Sequence, residues 1–113
     1  MLKIYHNPRC SKSRQTLALL TEGGHTPDIV KYLEASLSVQ DIKALMTKLG
    51  LDDPRDMMRK GEAAYKEGGL KHKSGDDLIA AMAAQPKLIE RPIVETSAAA
   101  RIGRPPEAVM EIV

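Results

Sequence analysis

The sequence contains no tryptophan, no phenylalanine and only three tyrosines. A single-strand nucleic-acid binder stacks bases on aromatic side chains, and those platforms are missing here. A large excess of either charge is missing too. Lys and Arg number 17 against 15 Asp and Glu, for a net +2. General nucleic-acid binders show a strong basic surplus, so no nucleic-acid partner is expected. With one cysteine, the chain can form no internal disulfide and no cysteine-based zinc cluster. Three scattered histidines do not complete a ligand set around it, so no metal is expected. No apolar run approaches the roughly 20 residues of a membrane span, so no membrane partner is expected. The N-terminus, MLKIYHNPRCSKSR, lacks the apolar core of a signal peptide. A free thiol without an export signal points to the cytoplasm.

What is present describes one globular domain over residues 1–113, with 42% hydrophobic and 28% charged residues. Nothing in it demands more than a monomer. Leu2 to His6 is short, apolar and bounded by Asn7-Pro8, and reads as a strand. Ser11 to Glu22 reads as a helix stopped by Gly23-Gly24, and Asp28 to Leu33 as a second strand. Strand, helix, strand implies a right-handed crossover and a parallel pair. A helical block follows. Ser38 with Asp41 marks a capping box before Ile42, Leu45, Met46 and Leu49. Pro54 opens a short helix, Glu62 to Lys66 a further turn, and Ser74 with Asp77 a helix that Pro86 ends. Pro92 to Glu95 and Ala100 to Gly103 read as strands, and Glu107 to Ile112 as a last helix behind Pro105-Pro106. The order predicts an α/β domain with a mixed sheet flanked by helices.

Cys10 stands where the first strand hands over to the first helix. Helix N-termini carry partial positive charge and free N–H groups, which favour a thiolate and bind anions. Residues 1–21 contain Lys3, Arg9, Lys12 and Arg14 and no acid. Ser13, three residues on, places a hydroxyl one helical turn from the sulfur. His6, four residues before, stands at the strand end and can tune the thiolate. A buried structural cysteine is the alternative, but it has no need of cationic neighbours. A cysteine phosphatase loop carries Arg six positions after its nucleophile; here that position is Thr16. Arg59, Arg91 and Arg104 each stand at an element boundary, and guanidinium forks match tetrahedral oxyanions. Arg91-Pro92 is a candidate cis bond, since X-Pro bonds alone adopt cis cheaply. With no second cysteine, any oxidised or adducted Cys10 must be resolved by a thiol from another molecule.

The run Tyr5-His6-Asn7-Pro8-Arg9-Cys10-Ser11-Lys12-Ser13-Arg14 resembles the N-terminal signature of the glutaredoxin-coupled arsenate reductase family (ArsC type), in particular its short YfgD-type members. Tyr32-Leu33-Glu34, Met58-Arg59-Lys60, Glu90-Arg91-Pro92-Ile93-Val94 and Arg101-Ile102-Gly103-Arg104-Pro105 resemble its later motifs, in order. The resemblance implies a thioredoxin-like fold with a helical insertion, at about 36–86, between strands 2 and 3. It implies Cys10 as the nucleophile that attacks arsenate, with Arg59, Arg91 and Arg104 as an oxyanion-holding triad. His6, Ser11, Lys12, Ser13 and Arg14 would surround the sulfur and the oxyanion, and Pro92 would be the cis-proline opposite it. No bound cofactor is implied; glutathione is the co-substrate and glutaredoxin the partner that completes reduction to arsenite, a route to arsenic detoxification. Two other readings use the same residues. One is a glutathione-dependent thiol-disulfide reductase acting through Cys10 alone. The other is a Spx-like regulator that binds RNA polymerase, though Ser13 in place of a second cysteine removes its internal disulfide switch.

Overall fold

A computed structural model describes residues 1–34 and 37–113. The chain divides into two compact units. One comprises Met1–Ala35 with Arg91–Val113, and the other is Ser36–Glu90. The expected start of the helical insertion, at about 36, falls outside the described residues.

The first unit is built on a four-stranded sheet. Strand β1 (Leu2–Tyr5) leads to helix α1 (Ser11–Glu22) and strand β2 (Asp28–Val30). The chain re-enters this unit at β3 (Ile93–Thr96) and β4 (Ala100–Ile102), and a 3-10 helix over Pro106–Glu111 follows. The strand order is β2-β1-β3-β4. β1 and β2 run parallel, as the crossover requires, and the other two pairings are antiparallel. Alternation along the strands sends Ile4 and Val94 to one face, where they meet Leu20 of α1 and Val109 of the C-terminal helix. Leu2, Leu17 and Ile112 pack around that cluster. Each such buried side chain contributes roughly 1.5–3 kcal/mol, so this layer is what holds α1 on the sheet. On the opposite face the Tyr5 hydroxyl donates to buried Glu95 at 2.8 Å. The β3–β4 turn has no Asn-Gly; instead the Thr96 hydroxyl accepts from the Ala98 and Ala99 N–H groups.

Between β2 and β3 in the chain lies the helical second unit, with α2 (Val39–Leu49), α3 (Ala63–Glu67) and α4 (Gly75–Ala84). The expected capping box on α2 is present, with Ser38 and Asp41 exchanging bonds of 3.0 Å. Gly50 ends α2 at φ 73°, a left-handed cap that favours glycine. Pro54–Met57 forms a 3-10 turn whose first free N–H, on Arg55, donates to Asp53. The Arg55 guanidinium then ties this turn to the carbonyls of Leu70, Lys71 and Lys73. Met57, Met58 and Met82 are buried, so methionine does the core filling that aromatic residues often do.

Three expectations are corrected. The second strand ends at Val30 rather than Leu33, because β1 ends opposite it and Tyr32–Glu34 turn away. Ser74 caps α4 without a side-chain hydrogen bond. The last helix is 3-10 in form, a common fate of short terminal turns.

Gly103 follows β4 and is buried. A Cβ there would stand 2.7 Å from Thr16 Oγ1 and 2.8 Å from Pro92 Cγ. Gly103→Ala is therefore expected to destabilise the protein by about 1–3 kcal/mol in denaturant unfolding. Gly61→Ala, with nothing within 4 Å of its Cβ, serves as the control and should change little.

Candidate functional site

The site grows out of the β1–α1 connection. The Asn7 carbonyl accepts from the Cys10 N–H at 3.0 Å, which closes a turn with Pro8 at its second position. The Asn7 side chain accepts from the Arg9 N–H at 3.0 Å and stiffens the same turn. Cys10 is thereby delivered as the N-cap residue of α1, in extended backbone, and its carbonyl takes the first helical bond from Arg14. No side chain caps the helix. The first-turn N–H groups and the axial dipole are thus presented beside the sulfur, an environment suited to anions.

Ser13 is fully buried under this turn. Its hydroxyl oxygen accepts from the Asn7 N–H at 3.1 Å and lies 2.6 Å from His6 Nδ1. A hydroxyl both donates once and accepts twice, so Ser13 can hold the Asn7 N–H and His6 Nδ1 at the same time. His6 is held below its ordinary pKa of 6.5, first by burial and then by the cations Lys31 and Arg14. The ring is therefore neutral at physiological pH.

The second half of the site arrives from β4. Arg104 Nε donates to the Arg91 carbonyl at 2.9 Å, and its Nη2 lies 3.9 Å from Cys10 Sγ. One edge of the guanidinium is thus anchored while another faces the sulfur. Arg91 Nε and Nη1 are buried. The Gly103 N–H donates to the Pro92 carbonyl at 2.8 Å, which stitches the end of β4 to the start of β3. The peptide bonds Arg91–Pro92 and Arg104–Pro105 are both cis.

Of the residues singled out from sequence, Cys10, His6, Ser13, Arg91 and Arg104 meet in the first unit. Ser11 and Lys12 are exposed in the first turn of α1. Arg14 turns back onto the Pro8 carbonyl at 2.9 Å and braces the turn. Arg59 belongs to the second unit, where it pairs with Glu62 at 2.8 Å and its N–H donates to the Leu88 carbonyl. Sequence reasoning treated Asn7 only as a boundary and did not foresee that it builds the turn, although Asn-Pro is a recognised turn signal. It used Thr16 only against a phosphatase loop and did not foresee how closely the Thr16 hydroxyl approaches Gly103. Among the described residues no group of three or more His, Cys, Asp and Glu is placed to hold a metal ion. No helix there is long and apolar enough to cross a membrane.

The depressed His6 pKa sets a pH dependence. The unfolded chain binds this proton more readily than the folded one, so His6 destabilises the fold as it becomes charged. Its contribution is intact above about pH 6.5 and is lost as the pH falls toward the lower folded value. Unfolding free energy measured from neutral pH down through this window should decline more steeply in the native protein than in His6→Asn.

Comparison with known proteins agrees with this geometry. The ArsC family profile matches residues 5–112. The chain is 52% identical to the uncharacterized protein YfgD of Escherichia coli, over 99% of this chain and 96% of that one. It is 49% identical to an arsenate reductase of Haemophilus influenzae, over 96% of each. An arsenate reductase structure from Vibrio cholerae superimposes with a TM-score of 0.97 at 56% identity, covering 99% of this chain and 97% of the other. The mixed four-stranded sheet with its helices is accordingly the thioredoxin-like fold of those structures. By profile, by sequence and by structure, the chain belongs to the ArsC family.

Proposed function

We propose that this protein reduces arsenate to arsenite, with Cys10 as the nucleophile, glutathione as thiol co-substrate and a glutaredoxin as final reductant. The observation that carries the reading is the anchored Arg104 guanidinium, with Nη2 at 3.9 Å from Cys10 Sγ. A cation fixed there can hold an oxyanion against the sulfur and the α1 N-terminus together. Relatives of closely similar length are named arsenate reductases, which supports arsenate as the oxyanion.

In this reading the Cys10 thiolate attacks arsenic, and one arsenate oxygen leaves as water. Arg91 and Arg104 neutralise charge on the remaining oxygens. The third arginine of the resemblance, Arg59, enters the reading from its motif position only. Glutathione adds to the arsenic of the adduct. The glutaredoxin thiolate then attacks the glutathione sulfur, forming a mixed disulfide and leaving the electron pair on arsenic. Arsenic passes from the pentavalent to the trivalent state, two thiols become one disulfide, and hydrolysis frees arsenite from Cys10. The single cysteine supports this order, because no second thiol of the chain is there to resolve the adduct. The cytoplasm, where glutathione keeps thiols reduced, suits such chemistry.

The test is arsenate-dependent NADPH oxidation with glutathione, glutaredoxin and glutathione reductase. Turnover is expected with the native protein and should fall to background in Cys10→Ser. A parallel arm replaces the glutathione system with thioredoxin and its reductase. Turnover in that arm alone would reject the glutaredoxin coupling, and turnover in neither would reject arsenate reduction.

A further inference from the structure

The β1–α1 turn and the residues that follow β2 enclose a cavity of about 310 Å³. Its walls include His6, Asn7 and Arg9 from the turn and Lys31, Leu33 and Glu34 from beyond β2. β1 and β2 are parallel, and the His6 N–H donates to the Val30 carbonyl at 2.8 Å, so both carboxyl ends meet at this cavity. The carboxyl ends of parallel strands are where open α/β sheets commonly take ligands.

The charges around the cavity form a pattern. Arg9 and Lys31 supply two cations and Glu34 one anion, and all three are exposed. Among the described residues none of the three is held in an ion pair. Leu33 is 46% exposed and offers an apolar wall. A ligand that fits has two anionic groups, one cationic group and a short aliphatic body. Glutathione at neutral pH has two carboxylates and one ammonium. Arg9, on the cavity wall, is the residue immediately before Cys10.

We propose that this cavity is the glutathione subsite, with Arg9 and Lys31 taking the carboxylates and Glu34 the ammonium. The proposal rests on the arsenate-reductase reading for its consequence in turnover, but not for the binding itself. From this position the glutathione thiol attacks the arsenic bonded to Cys10. An arsenic–sulfur bond forms, and an arsenic hydroxyl departs with the thiol proton as water, with no change of oxidation state in this step.

The test uses the full-length protein and S-methylglutathione, which carries the charges but no reactive thiol. In a titration followed by amide NMR, shifts are expected to centre on Arg9 and Lys31 to Glu34. Lys31→Glu and, independently, Arg9→Glu should each weaken binding roughly tenfold, the loss of one charge-assisted contact. In the coupled assay the same variants should raise the KM for glutathione by a similar factor, and Lys31→Glu should leave the KM for arsenate within about twofold. Shifts centred elsewhere, or a glutathione KM indifferent to both variants, would overturn the subsite while leaving arsenate reduction intact. Charge-sensitive binding at these residues without arsenate turnover would support the subsite and reject the reductase reading.

Discussion

A buried serine hydroxyl controls the geometry on which the site depends. Ser13 Oγ accepts from the Asn7 N–H and shares a hydrogen bond with His6 Nδ1, so one atom links the end of β1, the turn and the first turn of α1. A backbone N–H left without a partner in such a place costs about 1–3 kcal/mol. The hydroxyl removes that cost and fixes the turn that presents Cys10 as the helix N-cap. The same network buries His6 at the end of β1, and that burial, with Lys31 and Arg14 nearby, keeps its pKa low. Arg14 adds a brace from the outside, at the Pro8 carbonyl.

The second constraint is steric. Gly103 lets the chain after β4 pass close to both Thr16 and Pro92, where any Cβ would collide. That passage leaves Arg104 next to the Arg91 carbonyl, which holds its Nε and directs Nη2 toward the sulfur. The arginine is solvent-exposed, so its attraction for a thiolate or an oxyanion is screened and modest on its own. What makes the arrangement effective is convergence: helix dipole, free N–H groups and an anchored guanidinium act on the same small volume. An anion held there would gain from three sources that are aligned once the protein has folded.

How far this could be read beforehand follows from the range of each interaction. The bounds of α1, the capping box at Ser38 and the Gly50 stop were legible because their signals lie within a few residues of the effect. The place of Cys10 at the head of α1 was legible for the same reason; the Ser13 hydroxyl, expected to face the sulfur, instead meets the Asn7 N–H and His6. The end of β2 was not, because Tyr32 and Leu33 keep a strand-like character in the sequence and only the end of β1 tells the strand to stop. The contact of Arg104 with Cys10 spans 94 residues of chain, and its anchor on Arg91 spans 13. No local pattern encodes either. The resemblance to a family named Arg104, but the structure supplies the carbonyl that orients it. The pairing of Arg59 with Glu62 is local, three residues apart, but an arginine at an element boundary serves an internal carboxylate and an external oxyanion equally well.

The central claim is that the Cys10 sulfur and an oxyanion share one site organised by Arg104. The most direct measurement is the rate of Cys10 alkylation by iodoacetamide at fixed pH and ionic strength, as arsenate is added. Saturable protection by arsenate is expected in the native protein, none by matched chloride, and protection displaced to much higher arsenate in Arg104→Ala. An alkylation rate that does not change up to millimolar arsenate, on the order of typical substrate affinities, would contradict it.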